Sequence, residues 1–198
     1  SACPPAMMDA FRDQYNVTVY HAWCMTEMSP LGTYGNLKGK HMEADWPTQR
    51  ALLLKQGRAV FGVDMKVVDP EGKELARDGV ASGDLLVRGS WIVKEYFKGD
   101  GGQILDNDGY FGTGDVATLD PDGFMQITDR SKDVIKSGGE WISSIDVENI
   151  VMAHPAVMMA ACIGIKHPKW DERPILVVVR KPGAEVTAQE IIKFYDGK

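Results

Sequence analysis

Apolar positions recur every four residues in AMMDAFRDQY, at Met7, Phe11 and Tyr15, and predict a helix that buries that face. The β-branched and aromatic run NVTVYHAW behind it predicts a buried strand, and the polar, glycine-containing CMTEMSPLGTYGN follows at its end. Open α/β layers put ligand-binding loops at such strand ends. A second helix is expected after Pro47, with Leu52 to Leu54 on its apolar side. From Ala59 the texture changes to short alternating runs, AVFGVDMKVV, GDLLVRGSWIV and DVATL with FMQITD, punctuated by Asp-Pro-Glu-Gly and Asp-Pro-Asp-Gly. Those turns between period-two segments predict a small antiparallel barrel or sheet over about 59–129.

The remainder has a third texture. DVIKSGGEWIS reads as a hairpin turning at Gly138 and Gly139, SSIDVENIVMAH as a short helix with serine at its start, VMMAACIGI and ILVVVRK as two buried strands. TAQEIIKFY opens on the Thr-x-x-Glu pattern of a capped helix. A break falls between Asp129 and Asp133, so the fold class is α/β followed by α+β: residues 1–129, a linker at 130–133, and a small unit over 134–198.

Composition narrows the function classes. The 198 residues are 44% hydrophobic and 25% charged, an ordinary globular balance. A net charge of -6 without a dense Lys/Arg cluster argues against nucleic-acid binding. The three cysteines, Cys3, Cys24 and Cys162, have neither disulfide-framework nor zinc spacing, and no apolar run is long enough for a transmembrane segment. A cytoplasmic location is expected, with peripheral membrane association left open. The chain begins at SACPP without methionine and stops at IIKFYDGK, so it is expected to be a piece of a longer protein.

Candidate chemistry sits in short strings. Met25-Thr26-Glu27 offers a hydroxyl for a phosphate oxygen and a carboxylate for a hard cation, though a strand end rolling into a polar turn reads the same way. Thr113-Gly114-Asp115 offers a carboxylate suited to a ribose diol, though most such triplets are only turns. Trp23 could stack on a base, though an aromatic residue at a strand end is more often core, and Arg130 with Lys132 taken alone reads as a solvated charged loop before an anion site.

Order and combination decide between these readings. AWCMTE, SGDLLVRG, YFGTGD and DRSKDVIKSGGEWIS stand in the sequence and spacing of the fingerprints of the adenylate-forming superfamily, and the chain resembles that superfamily from end to end. HAWCMTEMSPLGT and IKSGGEWISS are most similar to its medium- and long-chain fatty acyl-CoA synthetase branch. The resemblance implies the end of a large nucleotide-binding domain (1–129), a hinge (130–133) and the start of a small C-terminal domain (134–198). It implies that Trp23 stacks on adenine beside Ala2, that Thr26 bonds the adenylate phosphate, that Glu27 holds Mg2+, and that Asp115 and Arg130 bind the ribose. It further implies a pivot at Lys132, a second-pose active-site role for Lys136, a CoA tunnel at Gly138 and Gly139, and an acyl pocket at Cys24 and Met25. Cys24 stands where relatives usually have glycine, which points to a shortened acyl pocket.

The implied cofactors are ATP or AMP, Mg2+ and coenzyme A, the substrate a fatty or related carboxylic acid, and a homodimer is among the expected assemblies. Acyl-AMP ligase and aryl-CoA ligase remain as alternatives. The superfamily's phosphate loop and final lysine motif are not found in these 198 residues, so the isolated chain is expected to bind adenine nucleotide without turnover and to expose apolar surface.

Overall fold

Residues 3–196 are described by a computed structural model. Helix α1 (Pro5–Tyr15) starts with proline in its first turn, where a missing N–H costs nothing, and stops at Asn16 in the left-handed region (φ 53). Its expected inner stripe lies outside: Met7, Phe11 and Tyr15 are 51%, 40% and 69% exposed, and Met8 is the buried residue. The expected strand is also shorter than its pattern. Only Ala22–Cys24 (β1) pairs, with β2 (Leu31–Tyr34), while Val17 and Tyr20 lie exposed ahead of it. β-Branched propensity supplies no ladder, and a strand without a partner leaves its backbone to water.

His21 fixes the entry to β1. Its Nε2 accepts from the Cys3 N–H at 2.9 Å, so Nδ1 carries the proton and donates to the Leu53 carbonyl at 3.0 Å. Leu53 ends α2 (Trp46–Leu53), which Asp45 caps by accepting from the Thr48 N–H.

β3 (Gly57–Ala59), β4 (Val63–Val68), β5 (Ser82–Gly89), β6 (Phe111–Leu119) and β7 (Phe124–Arg130) complete a seven-stranded sheet in the order β1-β2-β3-β7-β6-β5-β4. The β4–β5–β6 pairs are antiparallel, as are β1–β2, β2–β3 and β3–β7. Alternation sends Val63, Met65 and Val67 of β4 inward with Leu85 and Val87 of β5, while Asp64 faces out. Fully burying such a side chain contributes about 1.5–3 kcal/mol. After Gly89 the chain leaves the sheet, so Trp91 to Val93 of the expected strand lie in a loop.

Three turns share one construction. The carboxylates of Asp69, Asp106 and Asp120 each accept backbone N–H groups two and four residues on, with Gly72, Gly109 and Gly123 at positive φ. Aspartate supplies the local acceptor and glycine the left-handed step.

The chain divides into two compact units between Ile127 and Thr128, within β7. The second has a four-stranded sheet in the order β10-β11-β8-β9, from β8 (Ile135–Ser137), β9 (Glu140–Ile142), β10 (Val157–His167) and β11 (Asp171–Arg180). Helix α3 (Ser144–Met152) is capped by Ser143, and α4 (Ala188–Phe194) has the reciprocal Thr187–Glu190 box expected for it. Val151, Val157 and Ile191 form the core between helices and sheet. β10 and β11 are not the buried pair that their composition suggests. One face packs on that core, and Met159, Ile163, Ile165, Ile175, Val177 and Val179 are exposed on the other. Composition reports apolar content on both faces and not which face finds a partner.

Candidate nucleotide and acyl-transfer site

The first group of candidates is built by the β1–β2 hairpin. Trp23 pairs with Thr33 and Cys24 with Leu31, and the Met25 N–H donates to the Pro30 carbonyl at 2.9 Å. Thr26–Met28 form one 3₁₀ turn at the tip. Met28 is fully buried there, which leaves Thr26 exposed and Glu27 half-buried on the outer side. Gly32 permits this packing: a Cβ on it would lie 2.6 Å from the Met28 methyl and 2.8 Å from the Trp23 ring. Met25 packs against the core edge, and Cys24 is an exposed free thiol.

Asp115 lies on β6, 92 residues from Trp23, and its Oδ2 accepts from the indole N–H at 3.0 Å. Its backbone N–H donates to Thr113 Oγ1, whose hydroxyl donates to the Leu85 carbonyl. Asp115 is 8% exposed and Trp23 7%, so a ligand meets only an edge of each. A carboxylate is an acceptor with two oxygens, the chemistry that two vicinal hydroxyls call for.

Glu27 is held from the loop after β5. Tyr96 Oη donates to Glu27 Oε1 at 2.9 Å, and the Val93 N–H donates to the Glu27 carbonyl at 2.7 Å. The carboxylate beside it, and then lost solvation, push the Tyr96 phenol up.

The second group belongs to the other unit. Arg130 ends β7 and is exposed; Lys132 is exposed in the turn that follows, where the N–H groups of Asp133 and Val134 both donate to the Arg130 carbonyl. Asp129, 1% exposed, accepts from the Ser144 N–H at 2.6 Å, the Ser144 hydroxyl at 3.1 Å and the Arg130 N–H at 2.7 Å. It ties the start of the linker to the first turn of α3, where a carboxylate is favoured. Strand alternation buries Ile135 and Ser137 and turns Lys136 outward, with its ammonium 5.6 Å from the Trp141 ring. Gly138 and Gly139 form the expected turn, at φ 64 and 89. A Cβ on Gly138 would meet the Trp170 ring at 2.8 Å, whereas the space beside Gly139 is open. Ala2 lies outside the described residues.

A cavity of about 450 Å³ opens beside Thr113 and Gly114, between the turns at 68–72 and 103–106. Of the Thr113-Gly114-Asp115 string it touches the first two residues and not the carboxylate, so volume alone does not mark the chemistry.

Two family models match: the AMP-binding enzyme over residues 1–97 and the AMP-binding enzyme C-terminal domain over 146–198. The chain belongs to the AMP-binding enzyme family. Its relatives in that family include a 3-methylmercaptopropionyl-CoA ligase of Ruegeria lacuscaerulensis, 54% identical over all of this chain and 36% of the relative. A medium-chain-fatty-acid–CoA ligase of Ectopseudomonas oleovorans is 48% identical over the same shares. The chain thus spans about a third of the length of these relatives. Among solved structures of the family, ATP-bound MatB from Rhodopseudomonas palustris has a TM-score of 0.84 at 27% identity, covering 100% of this chain and 37% of that one.

Sequence reasoning missed Tyr96 and undervalued Asp129. An aromatic residue in the glycine-rich segment EYFKGDGG was the signal for Tyr96, but nothing local points it at Glu27, 69 residues away. Asp129 looked like one more charge in DRSKD, and only its burial against Ser144 separates it from Asp133.

Proposed function

We propose that this chain is part of an ATP-dependent, AMP-forming acyl-CoA ligase that activates a short- to medium-chain aliphatic carboxylic acid. The observation that carries the reading is the Trp23–Asp115 hydrogen bond: it joins two motifs 92 residues apart into one polar edge, on the unit whose hairpin tip bears Thr26 and Glu27. In this reading adenine lies against Trp23, Asp115 accepts from both ribose hydroxyls with Arg130 donating alongside, and the Thr26 hydroxyl donates to the α-phosphate.

Among the described residues no three His, Cys, Asp or Glu side chains gather into a metal cluster. Glu27 therefore fits a magnesium ion that also takes nucleotide oxygens, not a self-contained metal centre, and such an ion would draw charge from the phosphates. The carboxylate substrate attacks the α-phosphate and pyrophosphate leaves. The CoA thiol then attacks the acyl adenylate, its proton is lost, and AMP leaves. Lys132 is the pivot between the two half-reactions, Lys136 serves the second, and Gly138–Gly139 keep the thiol's path open. The similarity to 3-methylmercaptopropionyl- and medium-chain-fatty-acid–CoA ligases supports the substrate class, and the Cys24 thiol, where glycine is usual, supports a short acyl pocket.

The test is AMP and acyl-CoA formation by the full-length protein with ATP, Mg2+, CoA and acids from acetate to palmitate, together with 3-methylmercaptopropionate and benzoate. An optimum among the short and medium aliphatic acids is expected. An optimum at palmitate or benzoate overturns the substrate class. AMP-linked product without CoA consumption makes the protein an acyl-AMP ligase, and no turnover with any acid removes the enzyme reading.

A further inference from the structure

The loop after β5 does more than connect strands: it is fastened across the hairpin tip that bears Glu27. The Ser29 hydroxyl donates to the Trp91 carbonyl at 3.1 Å, the Trp91 indole N–H approaches the Leu31 carbonyl at 3.4 Å, and the Val93 N–H donates to the Glu27 carbonyl at 2.7 Å. Tyr96 then reaches the Glu27 carboxylate itself, with its hydroxyl 2.9 Å from Oε1. Both the main chain and the side chain of Glu27 are held from one strap, residues 91–96.

We infer that Tyr96 is a positioning residue that presents the Glu27 carboxylate to a nucleotide-bound divalent cation. The inference rests on the ligase reading above and adds to it a residue that the family motifs in this sequence do not include. Three physical points support it. A glutamate side chain has several rotamers, and a hydroxyl on Oε1 selects one, leaving Oε2 outside that bond. A neutral donor keeps the full negative charge, whereas lysine or arginine would neutralise it; among the described residues no cation pairs with Glu27. Finally, Glu27 is the one carboxylate on its turn, and among the described residues no three-residue metal cluster exists, so the direction of this one carboxylate matters.

The experiment uses the full-length protein with Mn2+ as the probe cation. The affinity of the ATP-loaded protein for Mn2+ is read by electron paramagnetic resonance, ATP affinity in EDTA by calorimetry, and melting temperature by circular dichroism. Tyr96→Phe keeps the ring and removes only the hydroxyl. It is expected to weaken Mn2+ binding about tenfold while leaving metal-free ATP affinity and melting temperature as they are. Unchanged or tighter Mn2+ binding in Tyr96→Phe, where Glu27→Gln loses it, overturns the inference and leaves the ligase reading standing. If Glu27→Gln itself binds Mn2+ as the wild type does, the cation role of Glu27 fails and the inference with it. A Mn2+ loss accompanied by an equal loss of metal-free ATP binding makes Tyr96 merely structural and also overturns it.

Discussion

At the scale of single residues, Trp23 and Asp115 act as one unit. The indole N–H fixes one oxygen of a carboxylate that is 8% exposed, and a hydrogen bond to a charged group contributes about 1.5–3 kcal/mol. Trp23→Phe keeps an aromatic side chain but removes the donor and the volume of the five-membered ring from a buried position, so melting temperature is measured alongside. In the full-length protein it is expected to weaken ATP binding about tenfold, Asp115→Ala more, and the double variant no more than Asp115→Ala alone. Isothermal titration calorimetry on the three variants checks this; additive losses would mean that the two residues contact the nucleotide independently. Asp115 could be read from Thr-Gly-Asp as a carboxylate on a turn, and Trp23 as an aromatic residue at a strand end. Their bond could not, because period-two alternation says which face a side chain takes and not which strand lies opposite.

The hairpin β8–β9 shows what an element can demand of two adjacent glycines. Both have positive φ, the region that two-residue hairpin turns require and that costs an L side chain about 1–2 kcal/mol. Gly138 also lies under the Trp170 ring, whereas Gly139 has open space beside it. Gly139→Ala is therefore expected to destabilise the second unit by about 1–2 kcal/mol and Gly138→Ala by more. Urea unfolding followed through its aromatic residues gives the order, and a greater loss in Gly139→Ala would remove Trp170 from the explanation. The turn was legible in KSGGEW, since adjacent glycines between strand-like runs have few other uses. The reason for two glycines was not, because Trp170 arrives from the loop between β10 and β11. The same gap explains β10 and β11 themselves: VMMAACIGI and ILVVVRK specified strands correctly and burial incorrectly, since α3 and α4 cover only one face.

For the whole molecule the question is how the proposed reaction divides between two units. The proposed pivot, Lys132, follows Asp129, which three donors tie to Ser144 and to its own neighbour. Asp129, Lys132 and Ser144 all belong to the second unit, so a rotation at Lys132 has to release the Asp129–Ser144 bonds or the turn on the Arg130 carbonyl. Proline at 132 fixes φ near -65°. Lys132→Pro in the full-length protein is expected to slow either pyrophosphate release or thioester formation far more than the other, with melting temperature as the control for folding. Equal losses in both half-reactions count against the pivot.

What the chain determined by itself was its grammar: helices with their caps, aspartate–glycine turns, alternating strands, and the order of motifs that marks the adenylate-forming superfamily. These depend on interactions within a few residues, where spacing carries the physics. Tertiary structure alone decided that Trp23 bonds Asp115, that Tyr96 holds Glu27, that Asp129 is buried under Ser144, and that Met7, Phe11 and Tyr15 face outward. Each of those outcomes turns on a partner supplied from outside the local stretch, and the hydrophobic effect has no direction until that partner arrives.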